Sequence, residues 1–80
     1  MIEVILNNIG NVHFRQGNYT QALEHYQRSL KINEEIGDRR SISITLNNIG
    51  GVHSKQGNYT QALEHLQKSL KISEEISYRG

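Results

Sequence analysis

The chain has no cysteine, no excess of charge of either sign and no long apolar run. Without cysteine, disulfides and thiolate metal sites are impossible; this by itself leaves the compartment open, a reducing cytosol fits it easily, and a cytoplasmic location is expected. Nine basic against eight acidic side chains leave a net charge of +1 in 80 residues. So balanced a surface gives no electrostatic reason to expect nucleic acid or an anionic membrane as partner. No apolar stretch approaches the roughly 20 residues of a membrane span. Met1 is not followed by the basic segment and apolar core of a signal peptide, so the chain reads as soluble. Period-two alternation is also missing, which argues against strands. Serines, histidines and acids occur, but none in a nucleophile elbow, a paired-carboxylate site or a phosphate-cradling glycine loop. Neither catalysis nor a cofactor is expected.

What is present is a duplication. Residues 6–40 return at 46–80 with 26 of the 35 aligned positions identical, which fixes a 40-residue repeat. A repeat of this length points to a stacked array. In each copy apolar residues recur at steps of three and four: Ile2, Ile5, Leu6, Ile9 and Val12, matched by Ile42, Leu46, Ile49 and Val52. That spacing lays them on one face of a helix. A second helix carries Ala22, Leu23, Tyr26, Leu30 and Ile36, then Ala62, Leu63, Leu66, Leu70 and Ile76.

Gly17-Asn18 and Gly57-Asn58 combine a helix stop with a residue suited to cap the next helix, and Gln21 and Gln61 stand where a capping box needs them. Gly37-Asp38 repeats the logic between units, whereas the matching Ser77-Tyr78 is a weaker stop. The spacing predicts helices over 2–16, 19–36, 39–56 and 59–77. The expectation is an all-α single domain over 1–80, one helix-turn-helix unit over about 1–40 and another over about 41–80. Gly10 and Gly50 fall inside the first helix of each unit, where glycine costs about 1 kcal/mol relative to alanine. Close packing is the expected compensation, with Ala22 and Ala62 as small partners.

The four histidines, His13, His25, His53 and His65, follow from the duplication. No two stand at i and i+4 on one helix, so no metal site is expected. His13 and His53 are read as packing residues that keep one ring nitrogen hydrogen-bonded.

Leu6, Ile9, Gly10, Gly17, Tyr19, Ala22 and Tyr26 stand at the spacing of the tetratricopeptide repeat (TPR), and Leu46, Ile49, Gly50, Gly57, Tyr59, Ala62 and Leu66 match it again. The chain thus resembles that family over nearly its whole length. It departs at the common tryptophan (Leu6, Leu46), at the usual tyrosine of the first helix (His13, His53) and at the small apolar residue late in the second (Ser29, Ser69). The terminating proline is replaced by Glu34 and Glu74, so the second helix can run on for one to two turns. This looks like the longer-repeat branch, similar to kinesin light chains and to TPR arrays of bacterial signalling proteins.

The resemblance implies a short right-handed α-solenoid that serves as a scaffold for a protein or peptide partner, with the first helix of each unit lining the concave face. The positions it assigns there are Asn7, Asn11, Phe14, Arg15, Asn47 and Lys55, with Val4, Ile44, Gly51 and Ser54 beside them. Asparagine carboxamides can bond an extended backbone from both donor and acceptor ends, and Arg15 or Lys55 could meet a carboxylate.

The ends pose a separate question, because arrays normally need about three units. Leu66, Leu70, Ile72 and Ile76 have nothing after them to cover the last helix, and Ile2, Val4 and Ile5 are similarly available at the start. Either the chain is a fragment of a longer array or it self-associates: head to tail, as a two-fold dimer, or by exchanging hairpins through a helix fused across Gly37, with Glu35 and Arg39 paired.

Overall fold

The computed structural model describes residues 1–79 as four helices, α1 (Ile2–Arg15), α2 (Tyr19–Ile36), α3 (Arg39–Lys55) and α4 (Tyr59–Arg79). Gly80, assigned above to the second unit, lies outside the described residues. Packing follows chain order, α1 on α2, α2 on α3 and α3 on α4. The result is a slab of 36 × 29 × 17 Å. Helices α1 and α3 each stop one residue before the expected end, and α4 continues two residues beyond it, because Ser77 and Tyr78 offer no stop.

The stops that do operate are glycines in left-handed conformation. At Gly37, φ is 70°, and the N–H groups of Gly37 and Asp38 return to Glu34 O and Asn33 O, closing α2. Asp38 then caps α3, accepting from the Ser41 amide and hydroxyl. These bonds hold the Asp38 carboxyl below its ordinary value, the Ser41 side chain contributing most. The fused helix has no counterpart here: the chain turns at Gly37, and Arg39 pairs with Glu75 on α4 rather than with Glu35. Asn18 occupies the N-cap position of α2, but its carboxamide donates to Gln16 Oε1 at 3.3 Å instead of accepting from the helix. Among the described residues no Gln21 or Gln61 capping-box bond accompanies it.

The two interior glycines mark close approaches within each hairpin. A Cβ at Gly10 would fall 2.6 Å from Tyr26 Cε1, and one at Gly50 2.8 Å from Leu66 Cγ. The helix therefore gives up a side chain so that a larger one from its partner can enter. That partner is Tyr26 or Leu66, not Ala22 or Ala62 as the sequence suggested; Ala62 contributes only its carbonyl oxygen, 3.2 Å from a Gly50 Cβ. Hydroxyl-to-carbonyl bonds tie the hairpins farther along. Ser29 donates to Glu3 O at 2.8 Å, and Ser43 and Ser69 donate to each other's carbonyl oxygens at 3.0 and 2.7 Å.

The core lies at the joint between units. Ala22 and Tyr26 of α2 enclose Ile49 and Val52 of α3, with Phe14, Tyr19, Leu23 and Leu30 packed around them. Ile49 and Val52 are 1% and 0% exposed, whereas their repeat counterparts Ile9 and Val12 are 38% and 55% exposed. Each large aliphatic side chain sealed this way contributes about 1.5–3 kcal/mol. Buried Asn33 adds a polar clamp, donating to Thr45 Oγ1 at 2.8 Å and to Ser41 O at 3.2 Å.

Candidate functional site

Helices α1 and α3, the first of each hairpin, lie side by side and are bridged by Asn48 Nδ2 donating to Asn7 Oδ1 at 3.1 Å. The two helices meet about one turn out of register, residues 11, 14 and 15 of α1 facing 47, 48 and 51 of α3, so that only positions 11 and 51 are repeat equivalents. There they frame a groove of about 410 Å³ lined by Asn11, Phe14, Arg15, Asn47, Asn48 and Gly51, with Tyr26 reaching in from α2.

Four of the six residues singled out from sequence thus meet in one place. Asn7 lines a smaller neighbouring groove of about 190 Å³ with Val4 and Ile44. Lys55 is exposed at the end of α3 and lines neither groove. Tyr26 and Asn48 were not among the six. A signal for Tyr26 existed in its hydroxyl, which needs a partner when the ring is buried. The glycine at position 51, where the first copy has Asn11, leaves the floor of the groove open at the second unit.

The polar groups are fixed in complementary senses. Tyr26 donates its hydroxyl to Asn11 Oδ1, which leaves the Asn11 amide hydrogens directed elsewhere. Burial pushes the Tyr26 phenol up, partly opposed by the Arg15 charge, so it remains a donor at neutral pH. Asn48 spends an N–H on Asn7 and keeps its carbonyl oxygen. Asn47 is exposed, and no hydrogen bond among the described residues uses its carboxamide. The groove therefore offers carboxamide donors and acceptors, one guanidinium and the Phe14 ring, whose centroid lies 5.8 Å from that of Tyr19.

Behind this face each hairpin stacks two imidazoles, His13 on His25 and His53 on His65, with centroids 5.2 Å apart in both. His25 and His65 donate Nδ1–H to Gln21 O and Gln61 O at 2.8 Å. His13 and His53 pack as expected from sequence, and their Nδ1 atoms are buried without a partner among the described residues, which leaves Nε2 as the ring nitrogen for the expected hydrogen bond. Burial, reinforced by the neighbouring His65, lowers the pKa of His53 below its ordinary 6.5.

Two stacked helical hairpins, glycine turns at φ 79° and 81°, and small-for-large exchange at Gly10 and Gly50 are now joined by a direct comparison: the family model for the tetratricopeptide repeat matches residues 1–75. The chain belongs to the tetratricopeptide repeat family. A search of curated proteins finds no significant match. TPR domains generally mediate protein–protein interaction and are typically non-catalytic scaffolds. Among the described residues no helix is long and apolar enough to cross a membrane.

Proposed function

We propose that this TPR pair recognises an extended segment of a partner protein in the α1–α3 groove, taken as the concave face of the solenoid. The observation that carries the reading is the convergence of Asn11, Asn47 and Asn48 around one groove, with Tyr26 orienting the first. Carboxamides can pair with both the N–H and C=O of a peptide backbone, which favours an extended main chain as ligand. Arg15 at the rim selects an acidic side chain or a terminal carboxylate, and Phe14 supplies apolar contact.

An array of synthetic peptides probed with the purified chain tests this. Bound peptides are expected to be enriched in acidic residues and to lose at least about tenfold in affinity, or ~1.4 kcal/mol, with Asn11→Ala plus Asn47→Ala. Binding unchanged by that double substitution would remove the groove from consideration.

A second reading is self-association. Its specific support is that Ile9 and Val12 on α1, and Tyr59, Leu63 and Leu70 on α4, are exposed while their counterparts Ile49, Val52, Tyr19, Leu23 and Leu30 form or flank the core.

A further inference from the structure

The two bare faces are the two halves of a joint the molecule already makes. In the α2–α3 joint, Tyr19, Leu23 and Leu30 flank Ala22 and Tyr26 on one wall, and Ile49 and Val52 form the other. The same residue types at the same repeat positions stand exposed as Tyr59, Leu63 and Leu70 on α4 and as Ile9 and Val12 on α1. A single copy cannot bring its two bare faces together, because α1 and α4 lie at opposite ends of the helix order. A second copy can supply each missing wall.

We propose that copies of this chain stack head to tail, the α4 face of one receiving the α1 face of the next in the geometry of the internal α2–α3 joint. The inference rests on the self-association reading and adds its polarity. Three positions support the fit. The internal bond from Asn48 to Asn7 has its external equivalent in Asn8 and Asn47, both exposed and without side-chain partners among the described residues. Where the internal joint buries Asn33 against Thr45, the external one sets Ser73 against Ile5, the smaller residue now on α4 and the larger on α1. Ser73 already shares a hydrogen bond with Ser43 inside its own hairpin at 2.5 Å, so it makes no demand on the incoming helix.

A two-fold contact would instead set Leu63 and Leu70 against their own copies, an arrangement with no precedent inside the molecule. Head-to-tail contact is heterologous and leaves a free face at each end, so it builds open rows rather than a closed dimer. Ser54 replaces the Phe14 ring that borders the internal joint, which makes the external one weaker and reversible.

Sedimentation equilibrium of the 80-residue chain is expected to show an average mass that at least doubles between about 10 µM and about 1 mM. Val12→Glu blocks the head and Leu63→Glu blocks the tail; both positions are exposed, and helicity by circular dichroism is expected to match the parent. Each variant alone stays at monomer mass, and an equimolar mixture reaches twice that mass and no more. A Val12→Glu variant that still dimerises alone overturns the polarity in favour of a two-fold α4 contact. A mixture that stays monomeric while the parent assembles overturns it as well. A parent chain that is monomeric throughout sinks the self-association reading itself. Should Leu63→Glu lose helicity, Leu70→Lys serves as the tail block with the same expected outcomes.

Discussion

Helices α1 and α3 carry the same Leu-Asn-Asn-Ile-Gly sequence and the same valine and histidine after it, yet they live in different solvents. In α3 the isoleucine and valine are sealed by α2; in α1 they face water. Burial in this molecule is a property of the neighbour and not of the residue. The same lesson repeats between α2 and α4, where Leu23 and Leu30 pack against the core while Leu63 and Leu70 do not. In stacked repeats, stability is the sum of units and joints, and the described residues hold two units and a single joint between them.

The comparison can be broken at the joint. Ile49→Ala should cost about 2–5 kcal/mol, enough to approach the whole stability of so small a chain, whereas Ile9→Ala should cost under about 1 kcal/mol. Urea unfolding followed by circular dichroism, at concentrations low enough to keep the chain monomeric, reads both; equal costs would mean that α1 is covered in solution. If Ile49→Ala fails to fold, Ile49→Val should still cost about 0.5–1.5 kcal/mol.

A smaller asymmetry is expected at the paired glycines. Gly10→Ala drives a methyl into the Tyr26 ring, which is buried and tethered to Asn11, so overpacking of about 1–3 kcal/mol outweighs the ~1 kcal/mol gained in helix propensity. Gly50→Ala meets the half-buried, flexible Leu66, and the two effects should nearly cancel, leaving less than about 1 kcal/mol. A larger loss at Gly50 than at Gly10 in the same unfolding experiment would reverse this account of the hairpins.

Thr45→Val removes the hydroxyl that accepts from buried Asn33 and should cost about 1 kcal/mol in that assay, while Ile5→Val at the exposed counterpart should be nearly neutral. No cost at Thr45 would mean the Ser41 carbonyl alone satisfies the Asn33 Nδ2 group.

The smallest effect is that of pH on the second hairpin. The folded-state pKa of His53 lies below its unfolded value, so below about pH 6.5 the unfolded chain binds more protons than the folded one. The stability contributed by neutral His53 is fully present above that pH and is lost as pH falls toward the folded pKa. His53→Gln is expected to flatten the dependence of the urea midpoint on pH over this range. An unchanged slope would place the proton elsewhere.

Most of the architecture was legible in the sequence because it is written in short-range code. Glycine at 17, 37 and 57 demanded turns, and three-and-four spacing demanded helices; both are satisfied within a few residues of where they are encoded. Asn18 misled for an equally local reason. Its amide closes α1 on His13 O at 2.8 Å just as the Asp38 amide closes α2 on Asn33 O at 3.0 Å, but a carboxamide also has a donor end, and here that end is spent on Gln16 Oε1. Asp38, at ψ 92°, keeps its carboxylate over the helix and does cap it.

The candidate site was legible in part. Helical spacing, together with the pairing of first helices that the family resemblance implies, placed Asn11, Phe14, Arg15 and Asn47 on one face, but Tyr26 arrives from another helix through the space vacated by Gly10, a relation no single-helix pattern contains. For the same reason Leu66, Ile72 and Ile76 are half-buried within the second unit's packing, and the barest apolar positions of α4 include Leu63 and Tyr59, whose significance comes from what Leu23 and Tyr19 do one unit earlier.

Helix α1 rests on α2 along one side and meets water along the other. Its peptide hydrogens should therefore exchange with deuterium sooner than those of α3, which is gripped from both sides. Since Asn11, Phe14 and Arg15 belong to α1, half of the groove is carried by a helix held along one side only, and any occupant of that groove should slow the exchange of α1 while leaving α4, equally one-sided but outside the groove, unchanged.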